Sequence, residues 1–246
     1  PTLTPPPPSS TQGLGRRQRQ MCIRDRVDTQ RAYEVIREKI TTLELGPGAA
    51  INEQRLAEEL DMGLVPVREA LKLLAHDDLV IITPRHGLYV ADVDVPDLER
   101  ISEMRLSLES LCARLAAQRA TPDDLVVLEA LSQEQSTIPA EDSQRLFDFD
   151  HRFHQAIARA AHNKYLARTL DHLFGLSQRL WYLALPHIEF LPGSVEKHVE
   201  LVEAIKAGDA ARAEQVMSNH VRDFYDKVRE VLVAREQTKS PPHHPG

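Results

Sequence analysis

The sequence predicts a mainly α-helical protein of two parts: an N-terminal winged helix-turn-helix with a small β-hairpin wing, and a C-terminal antiparallel all-α bundle of six or seven helices. Three observations predict this fold class. Residues 53–74 encode two short amphipathic helices around a turn, and residues 79–91 have the pattern of a hairpin. From residue 95 to 235 the apolar residues follow helical spacing without a convincing strand.

The helix-turn-helix begins with Leu56, Ala57 and Leu60, which share one helical face. Gly63 follows as a predicted helix stop, and Pro66 suits the first turn of a second helix. The inward positions of that second helix are Val67, Ala70, Leu71 and Leu74, and its outward positions are Arg68, Glu69 and Lys72. Two β-rich segments, 79–83 and 88–91, then flank the turn Pro84-Arg85-His86-Gly87, which predicts the wing.

The bundle is predicted from six helical segments separated by prolines and a glycine. The expected ranges are 96–119, 123–137, 142–161, 164–184, 194–207 and 209–236. The domains therefore run from 27 to 93 for the winged helix and from 94 to 237 for the bundle, with a disordered tail over 238–246.

Residues 1–26 are predicted to be disordered, because they open with a proline-rich run and continue into the basic run Arg16-Arg17-Gln18-Arg19-Gln20. The following run, Met21-Cys22-Ile23-Arg24-Asp25-Arg26, reads like translated adapter sequence that is foreign to the natural protein. A basic arm that touches DNA is the alternative interpretation of this segment.

Charge and cysteine content limit the function classes. The net charge is -7, and residues 27–92 carry seven Lys and Arg against twelve Asp and Glu, so contacts to DNA depend on a few placed cations rather than on bulk charge. The available set is Arg55, Arg68, Lys72, Arg85 and His86. Cys22 and Cys112 match no zinc spacing, and we expect a cytoplasmic protein because no membrane span or signal peptide pattern is visible.

These motifs resemble the GntR family of bacterial transcription regulators. The segments Leu45-Gly46-Pro47-Gly48, Glu53-x-x-Leu56-Ala57, Pro66-Val67-Arg68-Glu69-Ala70-Leu71 and the Gly87 wing stand in family order over about sixty-five residues. The resemblance implies a recognition helix that begins near Val65 and enters the major groove, with the wing tip at the minor groove. The family's polar Ser-Arg-Thr-like run is replaced here by Gly63-Leu64-Val65, so the phosphate or base contacts made by that run differ in this chain.

Polar residues interrupt the apolar faces of the bundle at two places. Asp150 and His154 lie four apart, hence on one helical face, where a hydrogen-bonded core pair or a solvated pair is the alternative to a metal site. His198 and His220 stand ten residues before and twelve residues after Gly208, so in an antiparallel helix pair they would be level, roughly 15–18 Å from the turn. One Asp and three His suit Zn²⁺, Ni²⁺, Mn²⁺ or Fe²⁺.

This pattern resembles the FCD-type ligand-sensing domain in the FadR branch of the same family, whose signature is Asp-x-x-Phe-His, a small-residue turn with Asn, and two distant His. Here those positions are Asp150, Phe153, His154, Ala160-Ala161-His162-Asn163, His198 and His220. The resemblance implies a divalent metal, most simply zinc, and a small carboxylic acid beside it. Arg105 matches the family's Arg-x-x-x-Glu and is the candidate carboxylate ligand, with a salt bridge to Glu109 as the alternative. Asn163 is the second candidate ligand contact, with capping of the next helix as the alternative.

The sequence therefore predicts a homodimeric, ligand-responsive regulator that binds a pseudo-palindromic operator and is not an enzyme. One alternative is a metal- or carboxylate-binding bundle whose DNA-binding module has decayed. The other is a metal-dependent hydrolase, since a metal with open positions can activate water. The sequence shows no additional positioned general base, and an attached winged helix has no role in such catalysis.

Overall fold

The computed structural model describes residues 11–139, 141–184 and 193–239. It confirms the predicted fold class of a winged helix-turn-helix followed by an all-helical part. The described residues form two compact units, which divide between Ala91 and Asp92 apart from a short segment, 41–43, that clusters with the second unit. No helix in the described part of the chain combines the length and the apolar character needed to cross a membrane.

Before the wing, the first unit contains three helices and one short strand, and the wing adds two strands. In chain order they are α1 (Thr11–Thr41), β1 (Ala50–Ile51), α2 (Glu53–Glu59), α3 (Leu64–His76), β2 (Val80–Thr83) and β3 (Gly87–Val90). The three strands form one antiparallel sheet in the order β1-β3-β2. Strand β1 was not predicted, because two residues are too short to show an alternating pattern.

Helix α3 has the inward face that its sequence predicts. Val67, Ala70, Leu71 and Leu74 are all fully buried, and α3 packs against α2 and β2. The predicted stop at Gly63 is wrong in position. Helix α2 already ends at Glu59, and Asp61 takes the left-handed conformation that turns the chain (φ 51°), while Gly63 is the extended N-cap residue of α3.

The wing is a tight hairpin. Thr83 pairs with Gly87, and the His86 N–H donates to the Thr83 carbonyl at 3.0 Å. Arg85 has a φ of 65° and Gly87 a φ of 111°, so the turn depends on two left-handed residues, of which glycine adopts this conformation at low cost. The side chains of the tip, Arg85 and His86, are exposed.

The predicted disorder over residues 1–26 differs from the structure where the structure describes that segment. Helix α1 begins at Thr11, and its Arg, Gln and Met residues are favourable helix formers. Residues 1–10 lie outside the described residues. The tail over 238–246 lies outside them from residue 240 on, and α9 extends to Lys239.

The second unit consists of six helices among the described residues, as predicted, with ends within three residues of the expected ones. They are α4 (Val95–Arg119), α5 (Pro122–Gln135), α6 (Ser143–Ala160), α7 (Lys164–Ala184), α8 (Gly193–Lys206) and α9 (Ala210–Lys239). Helix α9 packs chiefly against α4, and α8 returns antiparallel to α9 through Gly208, whose φ is 70°. Cys112 and Trp181 are buried in this core, and Trp181 stacks between Phe147 and Phe224.

Helix α5 begins with a complete capping box. The Thr121 hydroxyl accepts from the Asp124 backbone N–H at 3.3 Å, and the Asp124 carboxylate accepts from the Thr121 N–H at 2.8 Å. Two backbone donors at the helix start, which have no partner within the helix, are thereby satisfied.

Thr121→Ala removes the cap and should lower the free energy of unfolding by about 1 kcal/mol. The measurement is urea denaturation followed by circular dichroism. Thr169→Ala is the matched control, because its exposed hydroxyl only donates to the Tyr165 carbonyl within α7 and alanine is the better helix former. Equal losses in both variants would contradict a specific contribution of the cap.

Candidate functional site

The four residues predicted as metal ligands come together in the second unit. Asp150 and His154 lie on α6, His198 on α8 and His220 on α9, and one ligand atom from each lies within 4.8 Å of all the others. The three imidazoles are buried. Sequence spacing predicted the two pairs, and the resemblance to the FCD-type domain implied that they form one metal-binding set, whose members are separated by up to seventy residues.

The ligand atoms face one another at short distances. His220 Nε2 lies 3.0 Å from His154 Nε2 and 3.2 Å from His198 Nε2. Asp150 Oδ1 lies 3.6 Å, 3.2 Å and 3.5 Å from the Nε2 atoms of His154, His198 and His220. Ligand atoms of a four-coordinate zinc ion with bonds of about 2.05 Å are about 3.3 Å apart, and these five separations lie close to that value.

Hydrogen bonds made by Nδ1 set the orientation of two of the three imidazole rings, those of His154 and His198. Glu109 on α4 accepts a hydrogen bond from His154 Nδ1, and the Gln135 side-chain oxygen on α5 accepts from His198 Nδ1 at 3.1 Å. Since a carboxylate or amide oxygen can only accept, both Nδ1 atoms carry hydrogen, and Nε2 is the nitrogen that faces the cluster. This is the usual arrangement of histidines that bind metals.

Glu109 is the member of the site that the sequence interpretation used only as the partner of Arg105. Its carboxylate also accepts from the Arg105 Nε–H at 2.6 Å, so one buried group joins Arg105 to His154. Burial raises the pKa of Glu109, but Arg105 and His154 outweigh burial and hold the pKa at about 2. The i, i+4 spacing of Arg105 and Glu109 predicted their pairing, whereas the contact with His154 joins distant helices and has no local signal.

Arg105 is held on several sides. Its second guanidinium nitrogen donates to the Ser177 hydroxyl at 3.1 Å, and the guanidinium carbon lies 4.1 Å from the centre of the Phe174 ring. Burial opposes its charge, yet Glu109 raises the pKa of Arg105 further above its ordinary value. The structure therefore shows the salt bridge that the sequence offered as the alternative to a role in ligand binding.

The imidazole of His154 lies between two carboxylates, those of Glu109 and Asp150. Burial lowers the pKa of His154, but Glu109 and Asp150 outweigh it and raise this pKa to about 9. In contrast, burial and the neighbouring His220 lower the pKa of His198 to about 4. The two carboxylates therefore favour positive charge beside them, which a proton on His154 or a bound cation supplies.

Asn163 lies at the start of α7 as its capping residue. Its side-chain oxygen accepts from the backbone N–H groups of Tyr165 at 3.2 Å and of Leu166 at 3.3 Å. This is the alternative that the sequence offered for Asn163, and the four-residue cluster is formed without it.

The predicted DNA-contacting residues are all exposed in the first unit. Val65, Arg68 and Lys72 lie on the outer side of α3, Arg55 lies on α2, and Arg85, His86 and Gly87 form the wing tip. Three of the cations are paired with carboxylates of the same unit. Arg55 Nε lies 2.8 Å from Glu59, Arg68 Nε 2.8 Å from Glu53, and Lys72 Nζ 2.7 Å from Glu69.

A winged helix-turn-helix joined to a helical unit of this kind defines a DNA-binding transcriptional regulator. Residues 28–90 match the family model "Bacterial regulatory proteins, gntR family", and residues 100–223 match the FCD domain model. The chain belongs to the GntR family of regulators and carries an FCD domain, as its motifs predict.

Curated relatives cover most of the chain. It is 30% identical over 211 residues to an uncharacterized HTH-type transcriptional regulator in an unstable DNA locus of Streptomyces ambofaciens, covering 84% of this chain and 87% of that protein. It is 26% identical over 203 residues to the HTH-type transcriptional repressor RspR of Escherichia coli (strain K12), covering 82% and 89%. Among solved structures, E. coli McbR/YncC superposes with a TM-score of 0.73 at 23% identity, over 82% of this chain and 97% of that one, which supports the shared fold.

Replacing Glu109 with Ala should lower the free energy of unfolding by about 3–5 kcal/mol, because it leaves the buried Arg105 guanidinium without its ion-pair partner. The measurement is urea denaturation in the presence of a chelator, so that bound metal does not contribute. Glu99→Ala is the control, since its ion pair with Arg229 is exposed and should be worth less than about 1 kcal/mol. Comparable losses in the two variants would contradict a structural role for the buried pair.

Proposed function

We propose that this regulator responds to a small organic acid at a divalent metal held by Asp150, His154, His198 and His220. The observation that carries the proposal is the convergence of one carboxylate oxygen and three Nε2 atoms. The Nδ1 contacts to Glu109 and Gln135 support it further, because they fix the ring tautomers suited to binding a cation. A metal bound there would act as a Lewis acid toward the oxygen of an acid anion.

Zinc fits this set of nitrogen and oxygen ligands, and Ni²⁺, Mn²⁺ and Fe²⁺ are compatible with it, whereas soft-metal chemistry is disfavoured because no cysteine belongs to the set. For the acid, Arg105 is the candidate cation. Its guanidinium is buried next to Glu109, which in turn contacts the candidate ligand His154. An acid anion that reached Arg105 would therefore bind the same guanidinium as Glu109. Asn163 is not part of this proposed acid site, because its side-chain oxygen caps α7.

On the DNA side, we propose that two copies of the chain bind a pseudo-palindromic operator. The recognition helix α3 would lie in the major groove with Arg68 at a phosphate or guanine, and the wing tip at Arg85, His86 and Gly87 would reach the adjacent minor groove. Binding of the acid can change DNA affinity only as far as its own affinity differs between the two arrangements of the dimer.

A metal-dependent hydrolase is the weaker candidate. The carboxylate nearest the cluster other than Asp150 is Glu109, and it is already bound to Arg105 and His154, so it is a poor general base for a water molecule. The relatives with an assigned role are named as transcriptional regulators. We therefore propose no enzymatic activity.

Purified protein should contain about one Zn, Ni or Mn ion per chain, and the ion should be lost in both His198→Ala and His220→Ala because each removes one of the converging nitrogens. The measurement is elemental analysis after dialysis and after reconstitution with each metal. His172→Ala is the matched control and should retain the ion, since His172 lies on α7 outside the cluster.

Circular dichroism of the two variants in chelator separates loss of the metal from loss of the fold. Wild-type protein that contains no metal even after reconstitution would contradict the metal site, as would full metal content in both ligand variants. Either result would leave the assignment to DNA-binding regulators unchanged, since that rests on the family models.

Arg68→Ala should weaken DNA binding by about tenfold and leave the metal content unchanged. Binding to genomic DNA fragments can be followed by fluorescence anisotropy at two salt concentrations, where loss of a phosphate contact also lowers the salt dependence. Arg100→Ala, an exposed arginine of α4 that pairs with Asp97, is the control and should bind DNA as wild type does. Unchanged DNA affinity in Arg68→Ala would favour a decayed DNA-binding module.

A further inference from the structure

The first turn of the recognition helix presents an apolar side chain to solvent. Val65 is 64% exposed, although its neighbours Pro66 and Val67 are buried. It lies three residues before Arg68 and four before Glu69, so it shares the outward face of α3 with them. Val65 therefore belongs to the face that a DNA-binding regulator offers to its operator.

The polar groups of this face are engaged within the unit itself. Arg68 pairs with Glu53 at 2.8 Å, and Lys72 pairs with Glu69 at 2.7 Å. The N-cap residue Gly63 has no side chain to hydrogen-bond a base or a phosphate. The first residues of a recognition helix are the ones that contact base edges. In α3 the first residue, Leu64, is half-buried, and the second, Val65, is exposed. Val65 is therefore the first exposed side chain of this helix.

The chemistry of valine restricts what it can read. Its isopropyl group neither donates nor accepts a hydrogen bond, so it cannot recognise the donors and acceptors of guanine, cytosine or adenine. The thymine 5-methyl group is the apolar feature of the major groove, and small apolar side chains recognise it by contact. The β-branched side chain has one strongly preferred χ1 rotamer in a helix, so the contact surface is set before DNA binds.

We propose that Val65 selects a thymine in each operator half-site by apolar contact with its 5-methyl group. This specificity does not depend on the proposed metal or acid. It follows from the DNA-binding class of the protein together with the exposure of Val65. Isolated exposed apolar residues are common on protein surfaces, so the test must separate base readout from simple exposure.

The experiment begins with selection of bound duplexes from a random pool by the full chain. In the selected duplex, each thymine is then replaced singly by deoxyuridine, which removes only the 5-methyl group and keeps the base pairing. Wild-type protein should lose about fourfold in affinity at one thymine per half-site, the value expected for burial of one methyl-sized group. Val65→Ala, whose side chain ends at Cβ, should lose less affinity than wild-type protein does when this thymine is replaced by deoxyuridine.

Val126→Ala is the matched control, because Val126 is also 64% exposed but lies on α5 in the second unit. This variant should keep the wild-type response to deoxyuridine. Both substitutions replace exposed residues, and equal thermal stability of the three proteins would show that folding is unaffected. The metal content is measured on the same samples, so a failure of the metal proposal is seen separately.

Four results would overturn the proposal. In the first, wild-type protein binds every deoxyuridine duplex as tightly as the parent duplex. In the second, Val65→Ala loses as much affinity for the deoxyuridine duplex as wild-type protein does. In the third, Val126→Ala loses its sensitivity to deoxyuridine to the same extent as Val65→Ala. Selection of no preferred sequence at all would also overturn it, because Val65 would then select no base.

Discussion

The buried Glu109 carboxylate is the group on which the arrangement of the helical unit depends. It lies on α4 and joins the guanidinium of Arg105 to the imidazole of His154 on α6. Arg105 in turn reaches Ser177 and Phe174 on α7. A charge placed among apolar side chains is costly unless it is paired and hydrogen-bonded, so these contacts require the three helices to keep a defined register.

The same contact links the histidine cluster to the rest of the bundle. The four candidate ligands come from α6, α8 and α9, and their supporting partners Glu109 and Gln135 come from α4 and α5. A change of charge at the centre of the cluster therefore acts on side chains from five helices. This is the physical basis on which binding at such a centre could favour one arrangement of the unit over another, since a ligand shifts an equilibrium only through contacts that differ between the states.

Local sequence patterns predicted most of the fold, and together with the resemblance to the FCD-type domain they predicted which residues form the cluster. Helical spacing and the proline and glycine positions placed the ends of α4 to α9 within three residues, and the distances of His198 and His220 from Gly208 predicted that the two side chains would meet.

Contacts between distant segments had no such signal. The bond from Glu109 to His154 and the bond from Gln135 to His198 depend on how helices pack, and the two-residue strand β1 depends on its pairing with the distant strand β3. The stop after α2 was misplaced because Asp61 tolerates the left-handed conformation that the sequence interpretation assigned to glycine.

The DNA-binding unit poses the opposite electrostatic problem to the buried cluster. Its acidic composition opposes the approach of phosphates, and the cations at Arg55, Arg68 and Lys72 are each shared with a carboxylate. Exposed ion pairs of this kind are weak, so they can be exchanged for phosphate contacts at small cost, but each exchange leaves a carboxylate near the DNA. A single unit should therefore bind weakly. In the proposed dimer the second unit would bind the second half-site at a high effective concentration, so modest contacts would add up to a specific complex. Under this constraint an uncharged contact such as that of Val65 has an advantage, because it adds selectivity without requiring another cation to leave its partner.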